Sequence, residues 1–160
     1  MKLLKTRIEL PAAAREKIIA LLNQQLANLA DLHSQTKHAH WNVKGPQFWS
    51  LHKLFDELAG KVLEAVDEVA ERLTALGGVA NGTVRMAAAA SELKEFPAKS
   101  VHGLDAVTAV SDAFGTAANA ARKAIDDSDE LGDAVTADVL TQIVGELDSS
   151  LYFLEAHLAE

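Results

Sequence analysis

The sequence contains no cysteine among its 160 residues. Disulfide frameworks, cysteine-ligated zinc, iron–sulfur clusters and thiol nucleophiles are therefore excluded, and any bound metal must use His, Asp or Glu. Proline and glycine are scarce, at 3 and 9 residues, which excludes collagen-like and low-complexity chains. Because 49% of the residues are apolar and 24% are charged, we expect a folded chain with one domain over residues 1–160.

Basic residues are also in the minority. The 15 Lys and Arg residues face 23 Asp and Glu residues, which gives a net charge of −8. This balance disfavours a surface that holds nucleic acid or anionic lipid by charge, and it favours cationic partners. The sequence has no apolar run of about 18 residues, as a transmembrane helix requires, and its start lacks the apolar run of a signal peptide. We therefore expect a soluble, cytoplasmic protein with no membrane partner.

The apolar residues recur every three or four positions in long stretches that the prolines separate, which is the spacing of one helix face. Strand-like alternation of useful length is absent. The expected fold is an all-α bundle of four long helices with a short extra helix between the second and third. The predicted long helices span about 11–40, 46–76, 103–127 and 136–159, with a short piece near 87–90 and a short N-terminal arm at 1–10.

The second helix is expected to bury two faces. Its core stripe comprises Phe48, Leu51, Phe55, Leu58, Val62, Ala65, Val66, Val69 and Leu73. Opposite lies a charged, solvated face, and between the two is a third arc of small and apolar residues mixed with His and acids. The third arc comprises Trp49, Ala59, Gly60, Leu63, Ala70, His52, Asp56, Asp67 and Glu71. This mixture predicts the close approach of another helix, for which a second copy of the chain is the obvious partner.

Two pairs in the third arc have ligand spacing. His52 and Asp56 are four residues apart, as are Asp67 and Glu71, so each pair can direct two ligand groups to one point. The pairs are too far apart for one metal, since Asp67 comes eleven positions after Asp56, a rise of about 16 Å along a helix. Two copies packed antiparallel about a two-fold axis near Lys61 would bring unlike pairs together and make two shared sites.

Geometry alone leaves two readings of these pairs open. Acids and His at this spacing are also common on solvated helix faces, so a plain surface is the alternative to a metal site. If a metal binds, imidazole and carboxylate without thiolate suit Fe(II), Zn(II) or Mn(II).

The stretch from Thr36 to Gly78 closely resembles the signature of the Dps miniferritins, the DNA-binding proteins from starved cells of the ferritin-like superfamily. The matching residues are His40-Trp41-Asn42-Val43, Gly45, Phe48, Leu51-His52, Asp56, Asp67 and Ala70-Glu71-Arg72. The rest of the chain is similar to the family as well, including the Thr136-Ala137-Asp138 start of the last helix. The resemblance implies a ferritin-like four-helix bundle and a hollow shell of twelve subunits.

The resemblance also implies a site and an activity. The ferroxidase ligands would be His40, His52 and Asp56 from one subunit with Asp67 and Glu71 from its two-fold neighbour. Fe(II) would be oxidised there, mainly by hydrogen peroxide, and stored as ferric mineral inside the shell. The alternatives are a chiefly DNA-compacting nucleoid protein and a helical interaction module that binds no metal.

Several further residues have two readings. His40 on its own reads as a structural His, and only the family context makes it a ligand. Trp41 reads as core packing, while the resemblance implies that it lies near the iron site.

The acids between Asp126 and Asp138 fit a solvated segment or a helix start, but their position matches the pore segment of Dps shells. We expect Asp133 and Asp138 to attract cations there.

DNA binding is disfavoured by the composition of the arm. Strong DNA binders of the family often carry a flexible extension rich in Lys and Arg. Here the basic residues before Pro11 are only Lys2, Lys5 and Arg7, and the C-terminus has no basic tail.

Overall fold

A computed structural model describes residues 3–99 and 101–159 of the chain. Within these residues the chain forms five helices: α1 (Ala12–Asn42), α2 (Phe48–Ala75), α3 (Val84–Ala90), α4 (Gly103–Glu130) and α5 (Ala134–Glu155). α1 packs mainly against α2 and α4 mainly against α5, while α1 also contacts α4 and joins the two pairs. The predicted bundle of four long helices with a short helix between the second and third is therefore confirmed.

The core lies between the apolar stripes of the four long helices. Its largest fully buried side chains include Phe55 of α2 and Phe114 of α4, each 0% exposed. Burying one such side chain contributes roughly 1.5–3 kcal/mol through the hydrophobic effect. No helix among the described residues is long and apolar enough to cross a membrane.

The predicted core stripe of α2 is buried except at its first residue and at one edge. Phe48 was expected in the core but is 39% exposed, and Val66 is half-buried. Leu104, at the start of α4, is also exposed. Phe48 and Leu104 lie in first turns at the same end of the bundle, where Lys44 exchanges backbone hydrogen bonds with Val101 and Gly103. Side chains at this end project past the core.

Glycines with positive φ mark the turns that end or precede helices. α2 stops as predicted at Gly77, whose φ is +89° and whose neighbour Gly78 donates its N–H to the Leu73 carbonyl. α4 runs to Glu130, three residues beyond its predicted end, and Gly132 follows with φ +80°. α2 begins later than predicted because a turn from Gly45 precedes Phe48.

The described part of the N-terminal arm, residues 3–10, is docked on the bundle. The Leu4 N–H donates to the Gly77 carbonyl at 2.9 Å. The Arg15 guanidinium donates to the carbonyls of Leu10 and Leu76 at 3.2 and 3.1 Å. These bonds hold the arm across the end of α2. Its two described basic side chains, Lys5 and Arg7, face solvent.

Candidate metal centre

The end of α1 and the start of α2 bring His40 and His52 together. Their rings stack with centroids 3.9 Å apart and an interplanar angle of 20°. His40 Nδ1 lies 2.7 Å from the His52 carbonyl oxygen, and His52 Nδ1 lies 2.9 Å from the His40 carbonyl oxygen. Because a carbonyl only accepts, each Nδ1 must donate. Nε2 of each ring therefore points away from the backbone, the orientation that metal-binding histidines adopt when a carbonyl fixes the other nitrogen.

Asp56 lies next to this pair of rings, one turn after His52. Its Oδ1 is 3.9 Å from His40 Nε2 and 2.6 Å from the Lys37 ammonium. The hydrogen bond from Lys37 lowers the pKa of Asp56, and the nearby positive charges act in the same direction. The structure thus brings three of the five expected ligands near one another, with a lysine bound to the carboxylate, but among the described residues they are not close enough to form a metal-binding group.

Asp67 and Glu71 lie farther along α2, and the structure does not bring them to this cluster. Both side chains are exposed, and neither carboxylate has a hydrogen-bond or ion-pair partner among the described residues. Asp67 comes eleven positions after Asp56, about 16 Å along the helix. Across the described residues, no three His, Asp or Glu side chains form a group that could hold a metal ion. The candidate ligands of one chain therefore lie in two separate places on the described structure, which we call the two candidate half-sites.

Large exposed apolar side chains lie on α2 near these residues, Trp49 one turn before His52 and Leu63 between Asp56 and Asp67. Trp49 is 66% exposed and Leu63 is 52% exposed. At Gly60 an added Cβ would meet no atom within 4 Å, so the helix backbone is open there to a close neighbour. An apolar surface of this kind, bordered by polar groups, is typical of an interaction face. Trp41 also lies outside the core, at 65% exposure, so its reading as a core residue is wrong.

Comparison with known proteins places these features in a family. A model of the ferritin-like domain matches residues 19–160. The DNA protection during starvation protein of Agrobacterium fabrum is 44% identical over 160 residues, which cover 100% of this chain and 99% of the relative. The chain belongs to the Dps family.

Solved Dps structures share the fold. The Mycobacterium smegmatis Dps superimposes with a TM-score of 0.94 at 30% identity, over 100% of this chain and 96% of that one. The Vibrio cholerae Dps, described as a member of a broad superfamily of ferritin-like diiron-carboxylate proteins, gives a TM-score of 0.90 at 25% identity, over 99% and 100% of the two chains. The predicted family and the ferritin-like bundle are both confirmed.

Asp133 of this Dps chain has a different surrounding from the one we expected. It is 4% exposed rather than facing a pore. It caps α5 by accepting from the Thr136 N–H, and Arg72 Nη2 donates to both of its oxygens at 2.8 Å. Burial alone would raise the pKa of Asp133, but the hydrogen bonds from Thr136 and Arg72 outweigh it and the pKa is lowered. The expectation of a cation-attracting Asp133 is thereby corrected, because its carboxylate already has these partners.

Asp138 differs from Asp133 in being exposed. Its only side-chain partner among the described residues is Gln142, whose amide donates to Oδ2 at 2.9 Å. Its role at a pore of a Dps shell stays a prediction.

Lys37 is the residue at this Dps site that the sequence analysis missed. It lies three residues before His40 on α1, close to the same helix face. Its ammonium binds Asp56, lies 6.0 Å from the centre of the Trp41 ring, and adds to burial in lowering the pKa of His33. In the sequence, His33, Lys37 and Trp41 are four residues apart, which places them on one face of α1. This spacing is the feature that could have pointed to Lys37.

Proposed function

We propose that this protein oxidises Fe(II) at sites shared between two subunits, uses hydrogen peroxide as the preferred oxidant, and stores the ferric product in a dodecameric shell. The observation that carries the proposal is the reciprocal hydrogen bonding of His40 and His52, which turns Nε2 of each ring away from the backbone and places His40 Nε2 3.9 Å from the Asp56 carboxylate. Membership in a family of ferritin-like proteins supports it.

The second half of each site would come from the two-fold neighbour. In an antiparallel dimer with its axis near Lys61, Asp67 and Glu71 of one subunit approach the cluster of the other. The exposed Trp49 and Leu63 and the open backbone at Gly60 suit this face for such an approach. Two imidazoles and three carboxylates, with no thiolate, are ligands that suit Fe(II).

Iron in this proposal is substrate as well as cargo. Two Fe(II) ions each give up one electron, and one hydrogen peroxide molecule accepts both as its O–O bond breaks. With two water molecules the products are two ferric oxyhydroxide units and four protons, so atoms and charge balance. The reaction consumes together the two reagents that otherwise form hydroxyl radicals. We further propose that Asp138 helps to attract the incoming cation.

Stopped-flow absorbance of ferric product, after Fe(II) and peroxide are mixed without oxygen, tests the proposal. We expect wild type to oxidise Fe(II) well above the buffer rate and the Asp67→Asn, Glu71→Gln double variant to approach that rate. Glu16→Gln is the matched control, because Glu16 is exposed near the start of α1, at the opposite end from His40. A wild-type rate equal to buffer, or an unaffected double variant, would contradict the proposal.

DNA compaction is the second candidate, and the name of the Agrobacterium relative is what favours it. Protection of DNA does not require binding, since removal of peroxide and Fe(II) protects it as well. The docked arm and the net charge of −8 disfavour binding. We expect no DNA retardation in a gel-shift titration at moderate salt, whereas strong, salt-sensitive retardation would favour the second candidate.

A further inference from the structure

We infer that Lys37 competes with iron for Asp56: its ammonium binds the Asp56 carboxylate until a divalent ion displaces it. The inference rests on the proposed function, because it concerns the affinity of the same site. It adds a residue that sets how tightly cations bind there.

The geometry makes the ammonium and a metal ion compete for one oxygen. Lys37 Nζ contacts Asp56 Oδ1 at 2.6 Å, and that same oxygen is the one nearest to His40 Nε2, at 3.9 Å. A metal bound to both His40 and Asp56 must lie about 2 Å from each ligand atom. A hydrogen bond as short as that from Lys37 leaves no space for an ion on its side of the oxygen. When a metal ion binds, the ammonium therefore either moves away from Asp56 or stays close enough to repel the ion.

The fold supplies a second place for the ammonium. Lys37 keeps its side chain 26% exposed, so it has room to turn. The ring of Trp41, one helical turn later, has its centre 6.0 Å from Nζ. An aromatic face at that distance attracts a cation. The ammonium is thus already near this ring while it binds Asp56, and the ring stays within its reach when a metal ion displaces it.

The charge balance of the site gives this exchange a consequence. A complete site carries the three carboxylates of Asp56, Asp67 and Glu71, and Lys37 cancels one of their charges. A divalent ion gains about twice the electrostatic attraction of a monovalent ion when it replaces the ammonium. Because any incoming cation must displace the ammonium or be repelled by it, Lys37 weakens the binding of all cations at this carboxylate. Because the ion pair is partly exposed, the effect is modest, about three- to tenfold in affinity.

Titration of the assembled protein with cobalt(II), followed by calorimetry and by absorbance, tests the inference. We expect Lys37→Gln to bind cobalt(II) about three- to tenfold more tightly than wild type, with affinity that falls more steeply as NaCl is added. Lys37→Arg keeps a cation on Asp56 and should bind as wild type does. The matched control is Lys53→Gln, since Lys53 is exposed and lies 4.9 Å from the Trp49 ring centre rather than on Asp56.

The outcomes separate this inference from the proposed function. If cobalt(II) affinity is unchanged in a folded Lys37→Gln oligomer, or rises equally in Lys53→Gln, the role of Lys37 is overturned. Cobalt(II) binding by wild type in that case still supports the proposed site. Circular dichroism and light scattering establish that the variant is folded and assembled, and Lys37→Met repeats the test with a different side chain. Absence of cobalt(II) binding in wild type and all variants overturns the proposed site and this inference together.

Discussion

His40 and His52 fix each other's rings, because the Nδ1 of each donates to the backbone carbonyl of the other. This pair of hydrogen bonds ties the end of α1 to the first turns of α2. It also determines which ring nitrogen faces Asp56. The position of two potential ligand atoms is thus set by backbone groups, which do not depend on side-chain flexibility.

Replacement of either ring should weaken metal binding strongly. We expect His40→Ala and His52→Ala each to lower cobalt(II) affinity at least tenfold, because each removes a ligand atom and the ring that stacks on the other histidine. His38→Ala is the control, since that ring packs against Phe96, with centroids 5.0 Å apart. Calorimetric titration measures all three. Equal losses at His38 and His40 would contradict the assignment.

The buried Arg72–Asp133 pair should matter for stability. Arg72→Met leaves the Asp133 carboxylate charged and almost fully buried, which should cost about 3 kcal/mol of the free energy of unfolding. Arg122→Met breaks an exposed pair with Asp148 of the same 2.8 Å length, and should cost less than about 1 kcal/mol. Urea unfolding at equal protein concentration compares the two. Similar costs would mean that the burial of Asp133 adds nothing.

The Asp133 carboxylate should also make the stability of the fold depend on pH. Because the pKa of Asp133 is lower in the folded chain than its usual 3.8, its ionised form stabilises the fold above that value. This contribution is lost as the pH falls through the lowered folded pKa. Asp133→Asn keeps a capping side chain but has no charge. The stability difference between wild type and Asp133→Asn should therefore be constant near neutral pH and shrink in acid. A constant difference down to the acid-unfolding range would contradict the prediction.

Gly77 should control the docking of the arm. A Cβ at this position would lie 2.5 Å from the Leu4 carbonyl oxygen, and the φ of +89° adds backbone strain. We expect Gly77→Ala to cost about 1–2 kcal/mol in strain and to expose the peptide bonds after Lys5 and Arg7 to trypsin. Gly132→Ala is the control, with φ +80° but no atom within 4 Å of the added Cβ. Equal trypsin sensitivity of the two variants would show that the arm contact is not the cause.

Helix faces were predictable because they follow from the spacing of apolar residues alone. The core stripe of α2 and the stop at Gly77 needed no knowledge of other elements. The same angular reasoning separated His52 and Asp56 from the core. Phe48 was misplaced because helical periodicity does not report how far a first turn extends beyond the core, and here it is 39% exposed.

Contacts between helices were less accessible from the sequence. His40 required the family resemblance, since it lies on α1 and nothing in the α2 pattern points to it. Asp133 was read as one acid of a charged run, although an Asp three residues before Thr136 is also an N-cap signal. Its partner Arg72 is 61 residues away, a pairing that only the packing of α2 against α5 establishes. Lys37 was missed because its partner Asp56 lies 19 residues away on another helix.

The central claim is that each site needs two subunits. Two variants test it: His52→Ala with Asp56→Asn removes one half-site, and Asp67→Asn with Glu71→Gln removes the other. Each variant alone should oxidise Fe(II) with peroxide no faster than buffer. When the two are co-expressed in equal amounts, half of the two-fold pairs are mixed, and each mixed pair regains one complete site of two. The stopped-flow rate should then return to about one quarter of wild type, whereas a mixture as inactive as its parents would contradict sites shared between subunits.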